Sequence, residues 1–189
     1  TCKRMAKRRY IAGRAALLRC KHTVGIAVKT SDGYKLMTGN QVGAMLTDFV
    51  LANTDISSLK KPAIVKTVVT SDLGVEIAKT HGCTPFSTLT GFKYIGEKIT
   101  QYEAAKAEKN EVQDYDFVMG YEESYGYLIG DHARDKDATV SAMLICEIAA
   151  AKKAEGKTML DYINDIYAVY GFYFDAQDSF TLKGLDGIE

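Results

Sequence analysis

The sequence lacks the patterns of a zinc-binding, disulfide-bonded or membrane-spanning protein. Its cysteines are scattered, with no C-x-x-C pair and no group of Cys and His at the spacing of metal ligands. No stretch approaches the roughly 20 consecutive apolar residues that a bilayer span needs. We therefore expect a cytoplasmic protein that has no membrane partner and binds no metal. The cysteines are Cys2, Cys20, Cys83 and Cys146.

The chain as a whole also lacks net charge, because Lys plus Arg and Asp plus Glu number 24 each. Such a balance gives no overall field that would select nucleic acid, so we expect no nucleic-acid partner. Residues 1–22 differ from the rest, since they are rich in Lys and Arg and the first acidic residue is Asp32. The sequence predicts no structure for this basic head. Its composition is equally typical of a transit peptide, a nucleic-acid-binding arm or a segment foreign to the rest of the chain.

Beyond the head, short strand-like runs alternate with amphipathic helices. With 189 residues, 47% of them apolar, the chain is long enough to bury the core of one main domain. The runs that are rich in β-branched residues and bounded by turn residues read as strands. Predicted strands cover residues 24–28, 63–69, 84–89 and 115–119, with a turn at Ser31-Asp32-Gly33 and a further short strand after residue 126.

The helices are predicted from apolar residues that recur three and four positions apart. Hydroxyl or carboxylate side chains stand where such helices would begin, which is typical of N-caps. The helix that begins at Asp137 is expected to bury Val140, Met143, Leu144 and Ile148. This alternation predicts an α/β fold with three layers, in which a short mixed sheet lies between helices. The other predicted helices begin after Thr38, at Ser71 or Asp72, at Phe92 and after Thr158.

The first segment that could carry chemistry is Thr90-Gly91-Phe92-Lys93, between a predicted strand and a predicted helix. Free backbone N–H groups at a helix start, the helix dipole and a lysine would converge there on an anion such as phosphate. An ordinary turn with a solvated lysine would have the same sequence. The four residues alone favour that simpler interpretation.

The second segment, GYEESYG at residues 120–126, follows a predicted strand. It places two carboxylates, a hydroxyl and two aromatic rings between glycines. Sugars suit such a mixture, because these groups share hydrogen bonds with sugar hydroxyls while rings cover apolar C–H faces. The alternative is a hairpin with solvated glutamates, and the residues alone leave the two interpretations about equal.

The third segment, residues 131–137, mixes acids and bases directly before a predicted helix. Arg134 and Lys136 could therefore face an anion near that helix start. Runs of mixed charge are more often solvated loops, and His132 is more often a surface or cap histidine than a proton shuttle. The spacing leaves both interpretations open.

These three segments, in this order, resemble the third domain of the phosphoglucomutase/phosphomannomutase family, the α-D-phosphohexomutases. The sugar-binding loop of that family reads G-E-E-S-x-G or close to it, and this sequence has Tyr121 in place of the first glycine. The resemblance implies that Glu122 and Ser124 bind sugar hydroxyls. It also implies that the remaining matched residues lie near phosphate, and these are Thr90, Gly91, Lys93, Arg134 and Lys136.

The resemblance also implies how the chain is divided. Residues 23–35 resemble the last strand of the family's second domain, residues 36–176 its sugar-binding third domain, and residues 177–189 a linker toward a fourth domain. Residues 1–22 match nothing in this pattern, and the abrupt change at Thr23 favours the hypothesis that the head comes from a truncated or altered reading frame. Faces that pack against other domains in the family would be exposed here, so we expect self-association.

Such enzymes interconvert hexose 1-phosphates and 6-phosphates by moving phosphate to and from a phosphoserine in the first domain. They use Mg²⁺, held by a D-x-D-x-D-R loop in the second domain, and a hexose 1,6-bisphosphate. No such loop precedes Thr23, where the sequence reads Arg19-Cys20-Lys21-His22. We therefore expect a fragment that binds hexose phosphate weakly, has no catalytic residue and binds no cofactor. The alternative is a non-catalytic module that senses sugar phosphates or contacts nucleic acid through the head.

Overall fold

Two four-stranded sheets and five helices make up the part of the chain that is described. A computed structural model of the protein describes residues 9–12, 15–20 and 22–176. The first sheet is antiparallel, with the strand order β1-β2-β3-β4, and the second is mixed, with the order β6-β5-β7-β8. The strands of the first sheet are β1 (Arg9–Ala12), β2 (Ala15–Cys20), β3 (Thr23–Thr30) and β4 (Gly33–Leu36). Those of the second are β5 (Pro62–Thr67), β6 (Thr84–Thr88), β7 (Asp116–Glu122) and β8 (Gly126–Ile129).

The helices connect these strands in the predicted order. Two of them begin with capping boxes, in which a threonine and the third helical residue satisfy each other's backbone N–H groups: Thr38 with Gln41 and Thr158 with Asp161. The helices are α1 (Gly39–Ala52), α2 (Leu73–Thr80), α3 (Phe92–Ala107), α4 (Ala138–Ala154) and α5 (Met159–Tyr170), with a short 3-10 turn at Ile56–Ser58. None of these described helices combines the length and the apolar character that crossing a bilayer requires.

The central sheet has helices on both faces. β5 is parallel to β6 and β7, whereas β7 and β8 form an antiparallel pair. Because side chains alternate along a strand, Ala63 and Val65 pack with α3 on one face while Ile64 belongs to the larger core on the other. That larger core also contains residues of α1, α2, α4 and α5. The predicted three-layer α/β/α fold with a short mixed sheet is confirmed.

The antiparallel sheet contains part of the basic head, for which the sequence predicted no structure. β2 pairs with β3 from Ala15 opposite Val28 to Cys20 opposite Thr23, and β1 pairs with β2. The predicted strand at residues 24–28 and the turn before Gly33 are confirmed by β3 and its hairpin with β4. The described part of the head is therefore continuous with the sheet of the body. The predicted linker at residues 177–189 lies outside the described residues.

Two details of the predicted elements are wrong. β5 ends at Thr67, and Val68 and Val69 are exposed because the chain turns there around the buried side chain of Lys66. On α4, Met143 is 62% exposed, and the fully buried face, which packs against β8, shares only Ile148 with the predicted residues. The buried residues of α4 are Ala138, Ser141, Ile145 and Ile148.

Candidate functional site

The candidate site lies where β7 ends and α3 begins. β7 ends at Glu122, a turn follows at Glu123, Ser124 and Tyr125, and β8 starts at Gly126. Tyr125 adopts a left-handed backbone conformation with φ 65°, and its carbonyl accepts a hydrogen bond of 3.2 Å from the N–H of Val24 in β3. This hydrogen bond links the turn, which belongs to the mixed sheet, to the antiparallel sheet. Ser124, within the turn, is exposed to solvent.

Tyr121, which replaces the first glycine of the family loop, is fully buried beneath this turn. Its ring fits because α1 and α2 have glycines at the points of closest approach. A Cβ atom at Gly43 or at Gly74 would overlap the ring or the hydroxyl of Tyr121. The departure from the family pattern is accommodated by the absence of side chains on two neighbouring helices.

Glu122 is paired with Lys136, one of the predicted basic residues. Lys136 Nζ lies 3.4 Å from Glu122 Oε2, and the two side chains are 22% and 7% exposed. The same ammonium lies 3.2 Å from Asp135 Oδ1 and 4.9 Å from the centre of the Phe92 ring. Burial alone would raise the pKa of Asp135, but hydrogen bonds from the backbone and ammonium of Lys136 hold that pKa below its ordinary value. The ammonium of Lys136 therefore interacts with two carboxylates and with the face of an aromatic ring.

The first predicted segment adjoins this pair through Phe92. Gly91 is the N-cap of α3, with φ 122°, and no side chain caps that end of the helix. Thr90 and Lys93 are exposed, and Lys93 Nζ lies 4.7 Å from the centre of the Tyr94 ring. The buried Phe92 lies under the ammonium of Lys136, so the open start of α3 borders the pair of Glu122 and Lys136.

Arg134 is directed elsewhere. Its Nε donates to the hydroxyl of Thr100 at 3.2 Å, its guanidinium pairs with Glu103, and it also donates to the carbonyl of Asp131 at 2.8 Å. Within the described residues, an ion pair joins Lys136, but neither Arg134 nor Lys93, to Glu122 at the end of β7. The structure thus brings Lys136 to Glu122 and leaves Arg134 on the flank of α3.

His132 has a structural partner. Its Nε2 lies 3.1 Å from Asp137 Oδ2, while Asp137 Oδ1 accepts hydrogen bonds from the N–H groups of Thr139 and Val140 at the start of α4. Burial would raise the pKa of Asp137, but the hydrogen bonds from His132 and the helix start lower it below its ordinary value. This arrangement fits the simpler interpretation of His132, as a partner of a helix cap.

Two residues that contribute to the site were not among the predicted site residues. Glu123 lies against the hydroxyls of Thr67 and Thr70, and Lys66 is buried at the end of β5. Lys66 was visible in the sequence as the one charged residue in the predicted strand at residues 63–69. The partners of Glu123 come from another strand, and no local pattern indicates them.

The family implies Mg²⁺, but the residues described here do not fit it. Mg²⁺ requires several oxygen ligands in octahedral geometry. Among residues 9–12, 15–20 and 22–176, no group of three or more His, Cys, Asp or Glu side chains is arranged to hold a metal ion. Glu122 and Asp135 face an ammonium instead.

Comparisons with known proteins agree with this fold. The family described as phosphoglucomutase/phosphomannomutase, alpha/beta/alpha domain III, matches residues 38–170. A phosphoglucomutase of Staphylococcus aureus strain MRSA252 is 33% identical over 165 residues, which are 87% of this chain and 28% of that relative. The chain belongs to the phosphoglucomutase/phosphomannomutase family, and it spans 28% of the length of this curated relative.

Solved structures of the family share the fold at low sequence identity. The open form of pp63/parafusin, a phosphoglucomutase from Paramecium, has a TM-score of 0.60 and 17% identity, over 84% of this chain and 24% of that chain. A phosphoglucomutase/phosphomannomutase family protein from Burkholderia thailandensis has a TM-score of 0.56 and 14% identity, over 82% of this chain and 29% of that chain. At these identities the likeness concerns the fold alone.

Proposed function

We propose that this chain is the hexose-phosphate-recognition domain of a phosphohexomutase. The observation that carries the proposal is the ion pair of Glu122 and Lys136 beside the open start of α3. It combines an acceptor for sugar hydroxyls with a cation and with free backbone N–H groups, which together suit a phosphorylated sugar. Ser124 adds an exposed hydroxyl next to this pair.

Binding would require Lys136 to change partners. Glu122 is only 5% exposed, and in the free protein its carboxylate faces the ammonium. A phosphate group would attract Lys136 and the first N–H groups of α3, because charge-assisted hydrogen bonds to phosphate are strong. The carboxylate of Glu122 would then accept hydrogen bonds from sugar hydroxyls. The phosphate and the sugar ring would thus be recognised together.

Turnover would depend on parts of the enzyme outside this chain. In the family, phosphate moves between a phosphoserine and either end of the hexose phosphate, and this transfer relies on positioning and charge neutralisation. The described residues supply one cation and one sugar acceptor for that work. We propose that the chain alone has no appreciable mutase activity. Measurable turnover of glucose 1-phosphate by the purified chain, with glucose 1,6-bisphosphate and Mg²⁺ present, would contradict this.

A titration with glucose 1-phosphate, followed by amide NMR, tests the recognition proposal. We expect saturable shifts at residues 90–93 and 122–126. Replacing Lys136 with Met should weaken binding about tenfold, since hydrogen bonds to charged groups contribute roughly 1.5–3 kcal/mol. Ser124→Ala should weaken it less, because that hydroxyl is neutral.

Lys157→Met is the matched control, since this exposed lysine also pairs with a carboxylate, Asp165, but lies on the connection between α4 and α5. It should leave the affinity unchanged. If the unsubstituted chain shows no saturable shifts at the turn, or if Lys136→Met and Lys157→Met behave alike, the recognition proposal is wrong.

We also propose that the chain is cytoplasmic and that it self-associates. A reducing cytoplasm would suit the chain, because Cys83 and Cys146 are free thiols.

Self-association is favoured by apolar side chains near the end of α5, where Val169, Phe172 and Phe174 are 72%, 71% and 81% exposed. Sedimentation velocity at several concentrations would detect it. The nucleic-acid alternative is less favoured, because the chain as a whole has no net positive charge to attract phosphate groups.

A further inference from the structure

We propose that Glu123 is a positioning residue that anchors the turn following Glu122, and that it does not itself bind the sugar. The anchor consists of Glu123, Thr67, Thr70 and Lys66, and we call these four residues the turn anchor. This inference rests on the proposed function, because it assigns different roles to the two adjacent carboxylates of the sugar-binding loop. Its test separates the two proposals.

The carboxylate of Glu123 faces the end of β5. Its Oε2 lies 3.3 Å from the hydroxyl of Thr67 and 3.1 Å from the hydroxyl of Thr70, and the two hydroxyls lie 2.7 Å from each other. Two hydroxyl protons are thus shared among three oxygen atoms. Glu122, one residue earlier, faces Lys136 on the other side. The two glutamates therefore have separate sets of partners.

Lys66 fixes the loop that supplies these hydroxyls. It is 2% exposed, and burial of an ammonium is costly unless its protons have acceptors. Lys66 Nζ donates to the carbonyls of Thr67 at 3.3 Å and Thr70 at 2.8 Å, and it pairs with Asp72 Oδ1 at 2.8 Å. A lysine has three protons to donate, so all of them have partners. The ammonium thereby holds the backbone that presents Thr67 and Thr70 to Glu123.

The backbone of the turn also packs against the start of α1. The carbonyl of Glu123 lies so close to Gly39 that a Cβ atom there would overlap it. One residue further along α1, Asn40 Oδ1 accepts a hydrogen bond of 3.2 Å from the N–H of Ser71, which follows Thr70. The start of α1, the loop after β5 and the turn after β7 are therefore locked together around Glu123. Ser124, which follows directly, remains exposed.

Three variants of the full chain test this role: Glu123→Ala, Glu123→Gln and Thr70→Val. The first measurement is amide hydrogen exchange at residues 122–126 in the free protein, which needs no ligand. The second is the affinity for glucose 1-phosphate. Glu123→Ala should speed exchange roughly ten- to a hundredfold, because it removes the charge-assisted acceptor. It should also weaken binding about tenfold, because the turn no longer presents Glu122 and Ser124 in one geometry.

Glu123→Gln should restore both properties to within about threefold of the unsubstituted chain, since the amide oxygen accepts the same hydroxyl protons. Thr70→Val should speed exchange by up to about tenfold, because one neutral donor is lost. The matched control is Thr54→Val, which removes a partly buried threonine hydroxyl that donates to the carbonyl of Val50 at the other end of α1. That control should leave exchange at residues 122–126 unchanged.

Unchanged exchange in Glu123→Ala would overturn the anchor. A second result would also overturn it: Glu123→Gln loses as much affinity as Glu123→Ala, but its exchange at residues 122–126 matches that of the unsubstituted chain. Glu123 would then contact the sugar directly. If the unsubstituted chain does not bind glucose 1-phosphate, the proposed function fails, whereas the exchange measurement still decides whether Glu123 anchors the turn.

Discussion

Two carboxylates of this protein each lie within hydrogen-bond distance of two hydroxyl groups, yet they hold different parts of the molecule. Asp48 Oδ2 accepts from Tyr162 at 2.5 Å and Asp48 Oδ1 from Tyr170 at 3.0 Å. Glu123 lies against Thr67 and Thr70 in the turn anchor. The first arrangement joins α1 to α5, and the second joins a loop to a turn.

The difference lies in what each carboxylate keeps in place. Tyr162 belongs to the fully buried face of α5, and His81, after α2, lies 3.7 Å from Asp48 Oδ1. We call Asp48, Tyr162, Tyr170 and His81 the helix clamp. Breaking it should loosen an entire helix from the larger core, whereas breaking the turn anchor should release a few residues near the candidate site. Two carboxylates with similar partners thus differ in effect: the helix clamp stabilises the whole fold, whereas the turn anchor stabilises only the turn.

The largest effect is expected from Asp48→Ala. This change leaves the hydroxyls of Tyr162 and Tyr170 without their acceptor, and hydrogen bonds to charged groups contribute roughly 1.5–3 kcal/mol each. Because both donors lie on one helix, the losses overlap. We expect the free energy of unfolding to fall by about 3 kcal/mol, as measured by urea denaturation.

The control for this prediction is Asp165→Ala, since Asp165 also lies on α5 but pairs with Lys157 at the surface. It should change the free energy of unfolding by less than about 0.5 kcal/mol. If Asp48→Ala is no more destabilising than Asp165→Ala, the helix clamp does not hold α5.

The helix clamp should also fail at alkaline pH. Burial, together with the adjacent Asp48, raises the pKa of Tyr162 and raises that of Tyr170 to about 12. A tyrosine whose pKa is higher in the folded than in the unfolded protein stabilises the fold below its ordinary pKa of about 10, and this contribution is lost as the pH rises through the folded value. The free energy of unfolding should therefore fall above about pH 10.

The share of the helix clamp in this loss is measured with Tyr162→Phe/Tyr170→Phe. Other buried groups, among them Tyr121 and Cys83, also have raised pKa values and contribute in both proteins. The double variant should be less stable than the unsubstituted chain at pH 8 by about 1–2 kcal/mol, after allowing for screening at the partly exposed Tyr170. This gap should narrow as the pH rises toward 12, and a constant gap would contradict the prediction.

The helix starts and the alternation of strands with helices could be predicted from local spacing, because their determinants are local. Thr38 and Thr158 were predicted as N-caps from their positions before apolar repeats, and both form capping boxes. The strands of the head were not predicted, since a run rich in arginine gives no alternating pattern and β2 acquires its structure by pairing with β3. Met143 was misassigned because periodicity alone does not show which of two adjacent stripes meets the sheet.

At the candidate site, the sequence predicted the residue types better than their partners. Glu122 and Lys136 were both selected, but their pairing across β8 depends on how the chain folds back from the turn to α4. Arg134 was selected for the same reason as Lys136, yet Glu103 of α3 draws it away. The role of Glu123 depends on Thr67 and Thr70, which reach it only because β5 and β7 are neighbours in the sheet.

The smallest effect concerns a third carboxylate, Glu103, which holds a cation outside the site. Its pair with Arg134 is exposed, at 49% and 40% of the two side chains, so Glu103→Gln should change the free energy of unfolding by less than about 0.5 kcal/mol. Its effect on anion binding should be positive, because the variant frees a guanidinium two residues before Lys136 and removes a nearby negative charge. We expect glucose 1-phosphate to bind about two- to threefold more tightly at low salt, and this gain should shrink as the salt concentration rises.

Glu108→Gln provides the comparison for this last effect, because it removes the same charge from the C-cap of α3, five residues after Glu103, and leaves the pair of Arg134 and Glu103 intact. Its influence on binding should be smaller, because this change frees no guanidinium near Lys136. If Glu103→Gln weakens binding, then the pair with Glu103 orients Arg134 for the ligand. Arg134 would then resemble Glu123, because its fixed position would support ligand binding. The difference between groups that hold the fold and groups that hold the site would then apply to cations as well as to carboxylates.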